Sequence, residues 1–208
     1  MDTAEITGVA LYEDNLPDLE HFFANDAFTN NPFAARCFCV FHYRADAPEA
    51  WRGWAAAENR ALRRELVRGG QGHGVLASGD QVVGWVGVDV RPVLSCYDQW
   101  NTPSNGRTGI IHCFVGLPGM RRQGVAATLL GAACRHLSAL GVERIESHVV
   151  ADPEKHADSA VDRDRLAYHG PLSIYLRHGF QIVDYPEGQG FYTRVRRAVD
   201  HRGESSGA

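Results

Sequence analysis

The sequence predicts a mixed α/β fold, and three observations support this. Short stretches rich in β-branched and aromatic residues alternate with longer stretches whose apolar residues recur at helical spacing. Turns containing Gly and Pro separate these stretches. The chain has 208 residues, of which 44% are hydrophobic and 22% charged, enough for one sizeable core.

The first third of the chain predicts two helices around a strand. Residues Asn15 to Phe28 place apolar side chains at helical spacing. Cys37 to Tyr43 is rich in aromatic and β-favouring residues and predicts a strand. A second helix is expected from near Pro48 to about Val67, ended by Gly69-Gly70 and carrying an approximate apolar stripe of Trp51, Trp54, Ala55, Leu62 and Leu66.

The middle of the chain predicts a hairpin, a strand and the clearest helix. Gly74 to Ala77 and Gln81 to Val90 read as the two arms of the hairpin, and Thr108 to Gly116 as the next strand. A helix then begins near Val125, and Gly141 is a good residue to follow its end. Its apolar residues recur at helical spacing: Val125, Leu129, Leu130, Ala133, Leu137 and Leu140.

The last part of the chain completes the alternation. Glu143 to Val150 predicts a strand. Asp152 to Asp164 is charged without apolar periodicity and predicts a loop. Pro171 to Arg177 predicts a short helix, and Phe180 to Asp184 with Phe191 to Val195 predict two final strands.

Charge and cysteine content exclude several classes of protein. The formal net charge is −4, so there is no global electrostatic case for nucleic acid. No apolar run approaches the roughly 18 residues of a membrane span, and no signal peptide is recognisable. The five cysteines are an odd number, which favours reduced thiols and a cytoplasmic location.

A loop before the clearest helix predicts an anion site. The stretch Phe114-Val-Gly-Leu-Pro-Gly-Met passes from a strand into Arg121-Arg-Gln-Gly124-Val-Ala126, which opens the helix. Backbone N–H groups at a helix start lack intrahelical partners, and the helix dipole adds positive charge there. Such a loop suits a pyrophosphate.

Together with a second motif, this loop resembles the GNAT superfamily of acyl-CoA N-acyltransferases. The first motif is Arg121-Arg-Gln-Gly124-Val-Ala126, and the second is Tyr175-Leu-Arg-His-Gly179-Phe180. The resemblance covers about residues 74–195. It implies a mixed, mostly antiparallel sheet in which two central strands splay apart in a V, flanked by helices.

A further likeness is to a largely bacterial GNAT subgroup that brings no assured substrate. It rests on Cys37-x-Cys39, Asn59-Arg60, Val83-Gly84-Trp85-Val86 and His169-Gly170-Pro171-Leu172. We expect one domain over about residues 1–200, with an acceptor-side part at about 1–72, a CoA-binding core at about 73–196 and a disordered tail at 201–208.

The resemblance implies acetyl-CoA as donor, CoA as product and no metal. The amides of the loop should bind the pyrophosphate, Gly124 should allow close approach of backbone, and Ala126 should keep the helix start small. The pantetheine should pair with the end of the preceding strand. The expected cofactor-binding residues are Phe114, Val115, Gly116, Arg121, Arg122, Gln123, Gly124, Val125, Ala126 and Tyr175.

Attack of an amine on a thioester needs a base and an acid. The resemblance assigns the acid to Tyr175, which would protonate the departing thiolate. His112 is the first candidate base, because imidazole titrates near working pH; a half-buried structural histidine is the alternative interpretation. Glu146 and His148, on one face of the next strand, are further candidates, either as bases through a water chain or as groups that recognise a cationic acceptor.

The acceptor is expected to be a primary amine of a small molecule. Aromatic and acidic residues suit an aminated, hydroxylated ligand such as an amino-sugar antibiotic. The candidate acceptor residues are Phe38, Trp85, Asp89, Tyr97, Asp98, Trp100, His148, Asp152 and His169. A homodimer is possible on this interpretation, and neither nucleic acid nor membrane is an expected partner.

Three other interpretations stay open or are disfavoured. Acetylation of protein N-termini or lysines is the enzymatic alternative, and a non-catalytic acyl-CoA sensor is the other. A dinucleotide or P-loop protein is disfavoured, because neither Gly-x-Gly-x-x-Gly nor Gly-Lys-Ser/Thr is found. Cys37, Cys39 and His42 are too few ligands for a metal site, so the two cysteines are expected to be buried thiols. Strict alternation along the strand would place Cys113 on the opposite face from His112, which disfavours a Cys/His nucleophile pair.

Overall fold

The computed structural model describes residues 5–47, 49–100, 107–183 and 192–199. Within these residues one mixed sheet has the strand order β1-β2-β3-β4-β5-β7-β6. Strands β4 and β5 are parallel, and every other neighbouring pair is antiparallel. The strands are β1 (Thr7–Ala10), β2 (Gly74–Ser78), β3 (Val82–Val90), β4 (Thr108–Gly116), β5 (Arg144–Val150), β6 (Gln181–Val183) and β7 (Tyr192–Ala198).

Helices cover both faces of this sheet. The described α-helices are α1 (Leu16–His21), α2 (Pro32–Ala35), α3 (Ala56–Arg68), α4 (Val125–Ala139), α5 (Pro153–His156), α6 (Ala160–Ala167) and α7 (Leu172–Arg177). A π-helical turn, Phe22–Asp26, continues α1. No described helix has the length and apolarity needed to cross a bilayer.

The two faces of the sheet carry separate apolar cores. On one face α4 packs its buried side chains, such as Leu129 and Leu137, against Ile111 and Phe114 of β4. On the other face the N-terminal helices pack Phe22 and Phe23 against strand residues that include Trp85. Burial of apolar area on both faces is the main stabilising contribution.

The predicted fold class is confirmed: the sheet is mixed, mostly antiparallel and flanked by helices. Strand β4 has the predicted bounds, and α4 begins at the predicted Val125. Gly141 has φ +77°, the left-handed conformation that ends a helix.

Three local predictions were wrong, and one strand was missed. Cys37 to Tyr43 forms turns and a short 3₁₀-helix, because Phe38 and Cys39 have positive φ. The helix expected from Pro48 begins at Ala56. Asp152 to Asp164 is not a plain loop but holds α5 and the start of α6. Strand β1 was missed, because its four residues are too short to show alternation.

Helix α3 buries a polar rather than an apolar face. Asn59 and Arg63 are its buried side chains, whereas Leu62 and Leu66 are only half-buried. Asn59 donates through Nδ2 to the carbonyl of Arg36 at 2.8 Å, so its burial is compensated. The predicted tail, residues 201–208, lies outside the described residues.

Candidate functional site

Strands β4 and β5 separate partway along their length. Their pairing runs from Thr108 opposite Arg144 to Ile111 opposite Ser147 and extends no further along the described strands. Beyond this point β4 continues to Gly116 and β5 to Val150. The V-shaped splay expected between two central strands is therefore present, and we call this gap the wedge.

A peptide segment from before α7 closes part of the wedge. The N–H of Phe114 donates to the carbonyl of Tyr168 at 2.5 Å. A Cβ built on Gly170 would lie 2.9 Å from the Phe114 ring, so Gly170, at φ +79°, passes directly over that ring. The Phe114 amide therefore has a hydrogen-bond partner even though β4 and β5 are not paired at this point.

The loop Arg121–Ala126, hereafter the anion loop, opens α4. Gly124 is the N-cap at φ +84°, and no side chain caps the helix. Arg122 also has a positive φ of 63°. A Cβ built on Gly124 would meet nothing within 4 Å, so space lies in front of the backbone there. The uncapped helix start and two arginines together favour an anion.

The anion loop borders a cavity of about 780 Å³. The cavity lies between the end of β4, the start of α4 and the segment before α7, with Phe28, Asn31 and Tyr168 on its far side. Of the predicted cofactor-binding residues, eight line it: Phe114, Val115, Gly116, Arg121, Arg122, Gly124, Val125 and Ala126. Gln123, which donates to the carbonyl of Gly119, and Tyr175 do not line it.

Tyr175 lies at the base of the wedge and is fully buried. The single proton of its hydroxyl is shared between Ser147 Oγ at 3.0 Å and the carbonyl of His169 at 2.9 Å. Its ring packs edge-on against Phe114 and Phe180. Burial raises the pKa of Tyr175 well above its ordinary value, so the phenol is protonated at neutral pH.

A β-bulge redirects His112. Gly87 pairs with Cys113 and Val88 pairs with Ile111, so His112 is an extra residue on β4. Ile111 and Phe114 accordingly pack on the α4 side. The predictions that His112 shares a face with Phe114, and that Cys113 lies on the opposite face, assumed strict alternation and were wrong.

His112 lies on the face covered by the N-terminal helices. Its Nδ1 is 3.9 Å from Cys39 Sγ. Its Nε2 is buried and has no hydrogen-bond partner among the described residues. An imidazole with one nitrogen engaged and the other available has the arrangement that a general base needs.

His112 belongs to a cluster of four buried imidazoles, His42, His112, His148 and His169, hereafter the imidazole cluster. The ring of His42 is centred 4.7 Å from that of His112 and 6.1 Å from that of His169. Tyr97 lies between His42 and His148, with ring centres 5.3 and 5.4 Å away.

Three members of the imidazole cluster, His42, His148 and His169, are uncharged at neutral pH. Burial lowers the pKa of His148 to about 3 and that of His169 to about 4. Burial, followed by the neighbouring His112 and His169, also holds the pKa of His42 well below its ordinary value. Uncharged imidazoles accept protons and do not repel a cationic amine.

Glu146 is buried within an ion pair on the β5–β7 side. Arg196 Nε donates to Glu146 Oε1 at 2.6 Å, and Arg194 Nη1 lies 3.8 Å from Oε2. These arginines compensate the buried carboxylate. An ion-paired carboxylate has a strong structural role, which makes it less suited than His112 to accept a proton.

Some of the predicted acceptor residues lie in the apolar core, and others lie at the imidazole cluster. Phe38 stacks on Phe23, and Trp85 packs edge-on against the same ring, so both lie in the core. Tyr97, His148 and His169 meet in or beside the imidazole cluster.

The predicted acidic residues are already paired. Asp89 accepts from the Tyr43 hydroxyl and the N–H of Gly72 through Oδ2, and from the N–H of Val90 through Oδ1. Asp98 forms an ion pair with the buried Arg91 at 2.9 Å. Asp152 is exposed and caps α5 by accepting from the N–H of Lys155. The side chain of Trp100 lies outside the described residues.

Sequence reasoning missed several groups at the site. His42 was weighed only as a metal ligand, and Tyr168 and Ser147 were not considered. The spacing of His42 from His112 carries no signal, since packing across elements brings them together. Within the described ranges, no three His, Cys, Asp or Glu side chains are arranged to hold a metal ion.

The sequence was compared with models of protein families and with curated proteins. Residues 32–161 match the model of the acetyltransferase (GNAT) family. No curated protein matches the chain.

Solved structures share the fold at low sequence identity. An N-acetyltransferase from Staphylococcus aureus Mu50 is 12% identical with a TM-score of 0.55, over 95% of this chain and 100% of that one. A GNAT acetyltransferase from Streptococcus pneumoniae is 14% identical with a TM-score of 0.53, over 94% and 100%. The PaiA N-acetyltransferase of Thermoplasma acidophilum, in complex with coenzyme A, is 13% identical with a TM-score of 0.50, over 94% and 99%.

Proposed function

Because this chain belongs to the GNAT family of acetyltransferases, we propose that it moves the acetyl group of acetyl-CoA to a primary amine of a small molecule. The observation that carries the proposal is the wedge. It lies between a cavity bordered by the anion loop and a buried imidazole cluster. The donor would enter through the cavity beside the anion loop and the amine would lie at the imidazole cluster, so that attack occurs directly in a ternary complex.

The anion loop fits the pyrophosphate of CoA. Its uncapped amides, the open space before Gly124 and the charges of Arg121 and Arg122 all favour a phosphate ligand. The pantetheine would pair with β4 near Phe114 to Gly116. Since the Phe114 N–H already donates to Tyr168, a ligand pairing there must replace that bond. Acetyl-CoA supplies the thioester, and the residues of the chain would position it and transfer the protons.

His112 and Tyr175 have the complementary properties that the transfer needs. His112 would accept the amine proton at Nε2, which is buried and has no partner in the described part of the chain. Tyr175, whose pKa is raised by burial, would donate its proton to the departing thiolate and recover one from solvent. Glu146, paired with Arg196, or a water chain is the alternative base.

The acceptor is proposed only as a class. An amino-sugar antibiotic would need free carboxylates, and the pairing of Asp89 and Asp98 leaves fewer than the sequence indicated. Acetylation of protein N-termini or lysines is the alternative acceptor chemistry, and a non-catalytic acyl-CoA sensor is the alternative without turnover. We keep one domain over about residues 1–200, since β1 pairs with β2 and joins the acceptor-side part to the CoA-binding core.

Mass spectrometry tests this function. Incubation with acetyl-CoA and a panel of small amines, amino sugars and peptides should yield a product heavier by one acetyl group. Tyr175→Phe should lower kcat roughly 10²- to 10⁴-fold with CoA affinity nearly unchanged. CoA binding without turnover of any amine would favour the sensor, and loss of CoA binding in Tyr175→Phe would exclude its role as acid.

A further inference from the structure

Two consecutive residues near the site have an unusual backbone. Phe38 and Cys39 have φ values of 45° and 57°, in the left-handed region that residues with side chains rarely adopt. Both side chains are buried. Such conformations persist only where the surroundings enforce them, and they concentrate at functional sites.

Arg63 on α3 enforces this turn. Its guanidinium is fully buried and donates to the carbonyls of Phe38 at 3.0 Å, Cys39 at 2.5 Å and Gly72 at 2.7 Å. A Cβ on Gly72, at φ +68°, would lie 2.9 Å from Arg63 Nη1. Three backbone carbonyls thus hold the cation, and the cation holds the turn.

The turn presents the Cys39 thiol to His112. Sγ lies 3.9 Å from Nδ1, within the range of a hydrogen bond to sulfur. Gly87 makes room for the pair, because a Cβ there would lie 2.6 Å from His112 Cε1 and 2.8 Å from Cys39 Sγ. The second imidazole nitrogen, Nε2, is buried without a partner among the described residues.

We propose that Cys39 is a positioning residue for His112: Sγ accepts a hydrogen bond from Nδ1–H and thereby keeps the lone pair on Nε2. The hydrogen bond at one ring nitrogen sets which nitrogen carries the proton. When Nε2 takes the amine proton, the imidazolium that results faces the sulfur. Arg63 acts one step further back by fixing the turn. This inference rests on the proposed function.

The surrounding charges favour this role for the sulfur. Burial raises the pKa of the Cys39 thiol, but hydrogen bonds with Cys113 and His112 and the charge of Arg63 outweigh it, and the net direction is downward. Burial and the nearby Asp89 raise the pKa of Tyr43. Apart from the Arg63 guanidinium and the Asp89 carboxylate, the titratable groups that surround the pair are a neutral phenol, neutral imidazoles and thiols: Tyr43, His42, His169, Cys37 and Cys113.

Nitrogen-15 NMR of the imidazole rings tests the pair without any need for turnover. Wild-type His112 should carry its proton on Nδ1, and Cys39→Ala should move it wholly or partly to Nε2. Cys39→Ser should keep it on Nδ1, because a hydroxyl oxygen also accepts. Cys134→Ala, a buried thiol on α4, should change nothing at His112. A wild-type proton on Nε2, or no change in Cys39→Ala, would overturn the inference.

The pH profile tests the consequence for catalysis. Cys39→Ala should lower kcat about tenfold, leave the KM for acetyl-CoA unchanged and move the acidic limb of kcat/KM to lower pH, since the imidazolium loses its partner. Cys39→Ser should recover most of kcat. An acidic limb at the same pH in all three proteins would contradict the role. If the wild-type protein acetylates no amine, the proposed function fails, and the NMR result still decides the pair.

Discussion

The two sides of the wedge are built on different principles. On the cavity side, the anion loop is a continuous run of residues whose backbone conformation and helix start create the site. On the other side, the imidazole cluster brings together side chains from a 3₁₀ turn, two strands and the segment before α7. On the proposed function, the donor would meet mainly backbone on the cavity side, whereas the acceptor would meet buried side chains whose protonation state affects the reaction.

The largest expected difference between the two sides is in turnover. Changing His112 to Ala should lower kcat by about 10²- to 10⁴-fold, the usual contribution of a general base. The dissociation constant for CoA should stay within about twofold, because His112 does not line the cavity. Steady-state kinetics and calorimetry with CoA measure both. Equal losses of kcat and of CoA affinity would mean that the imidazole cluster and the CoA cavity are energetically coupled.

The second expected difference is a stability that depends on pH. His148 and His169 have folded pKa values of about 3 and about 4, below the ordinary 6.5. Because the unfolded chain binds these protons first, this stabilisation is present above about pH 6.5 and is lost as the pH falls towards the folded pKa values of about 4 and about 3. Between pH 7 and pH 5 the free energy of unfolding should fall by about 4 kcal/mol from these two groups.

Urea unfolding at several pH values measures this loss. His148→Gln should remove about half of it, since a glutamine does not titrate. A loss of the same size in His148→Gln would assign the effect to other groups, such as the carboxylates.

A third comparison uses two glycines of β3. Gly87→Ala should lower kcat about tenfold, because its Cβ would push apart His112 and Cys39 and disturb the proton acceptor. Gly84→Ala is the matched control, since its Cβ would meet Val125 at 2.8 Å on the α4 face. Because Val125 lines the cavity, kcat of both variants is compared at saturating acetyl-CoA. Both should lose similar stability in thermal unfolding. Equal losses of kcat would show that packing, and not the thiol–imidazole pair, limits turnover.

The smallest expected effect is on the anion loop. Gly124→Ala introduces a side chain at φ +84°, which costs about 1 kcal/mol and should weaken CoA binding about fivefold with kcat preserved. Gly119→Ala, where a Cβ also meets nothing within 4 Å and φ is not positive, should bind CoA normally. Calorimetry separates the two variants, and equal affinities would argue against a role for the Gly124 conformation.

The same contrast explains what the sequence could predict. The anion loop, β4 and α4 were predictable because turn residues, strand alternation and helical periodicity are local signals. The imidazole cluster was not, since His42 lies in a segment with a misleading aromatic pattern.

Two physical effects account for the remaining differences. A buried arginine on α3 stabilises the left-handed Phe38 and Cys39, and so a stretch that resembles a strand becomes a turn. A bulge at His112 breaks the alternation from which His112, Cys113 and Phe114 were assigned to the two faces of the sheet. Both depend on contacts between residues distant in sequence, which periodicity does not register.

The hydrogen bond between the Phe114 amide and the Tyr168 carbonyl has a consequence for evolution and engineering of the chain. The segment from α5 to α7 sets, by its length, where that carbonyl lies, so an insertion or deletion there would shift the wedge even though it changes no site residue. Loop length between α5 and α7 is thus a variable that selection or design can use to adjust access to the wedge while β4 and β5 stay fixed.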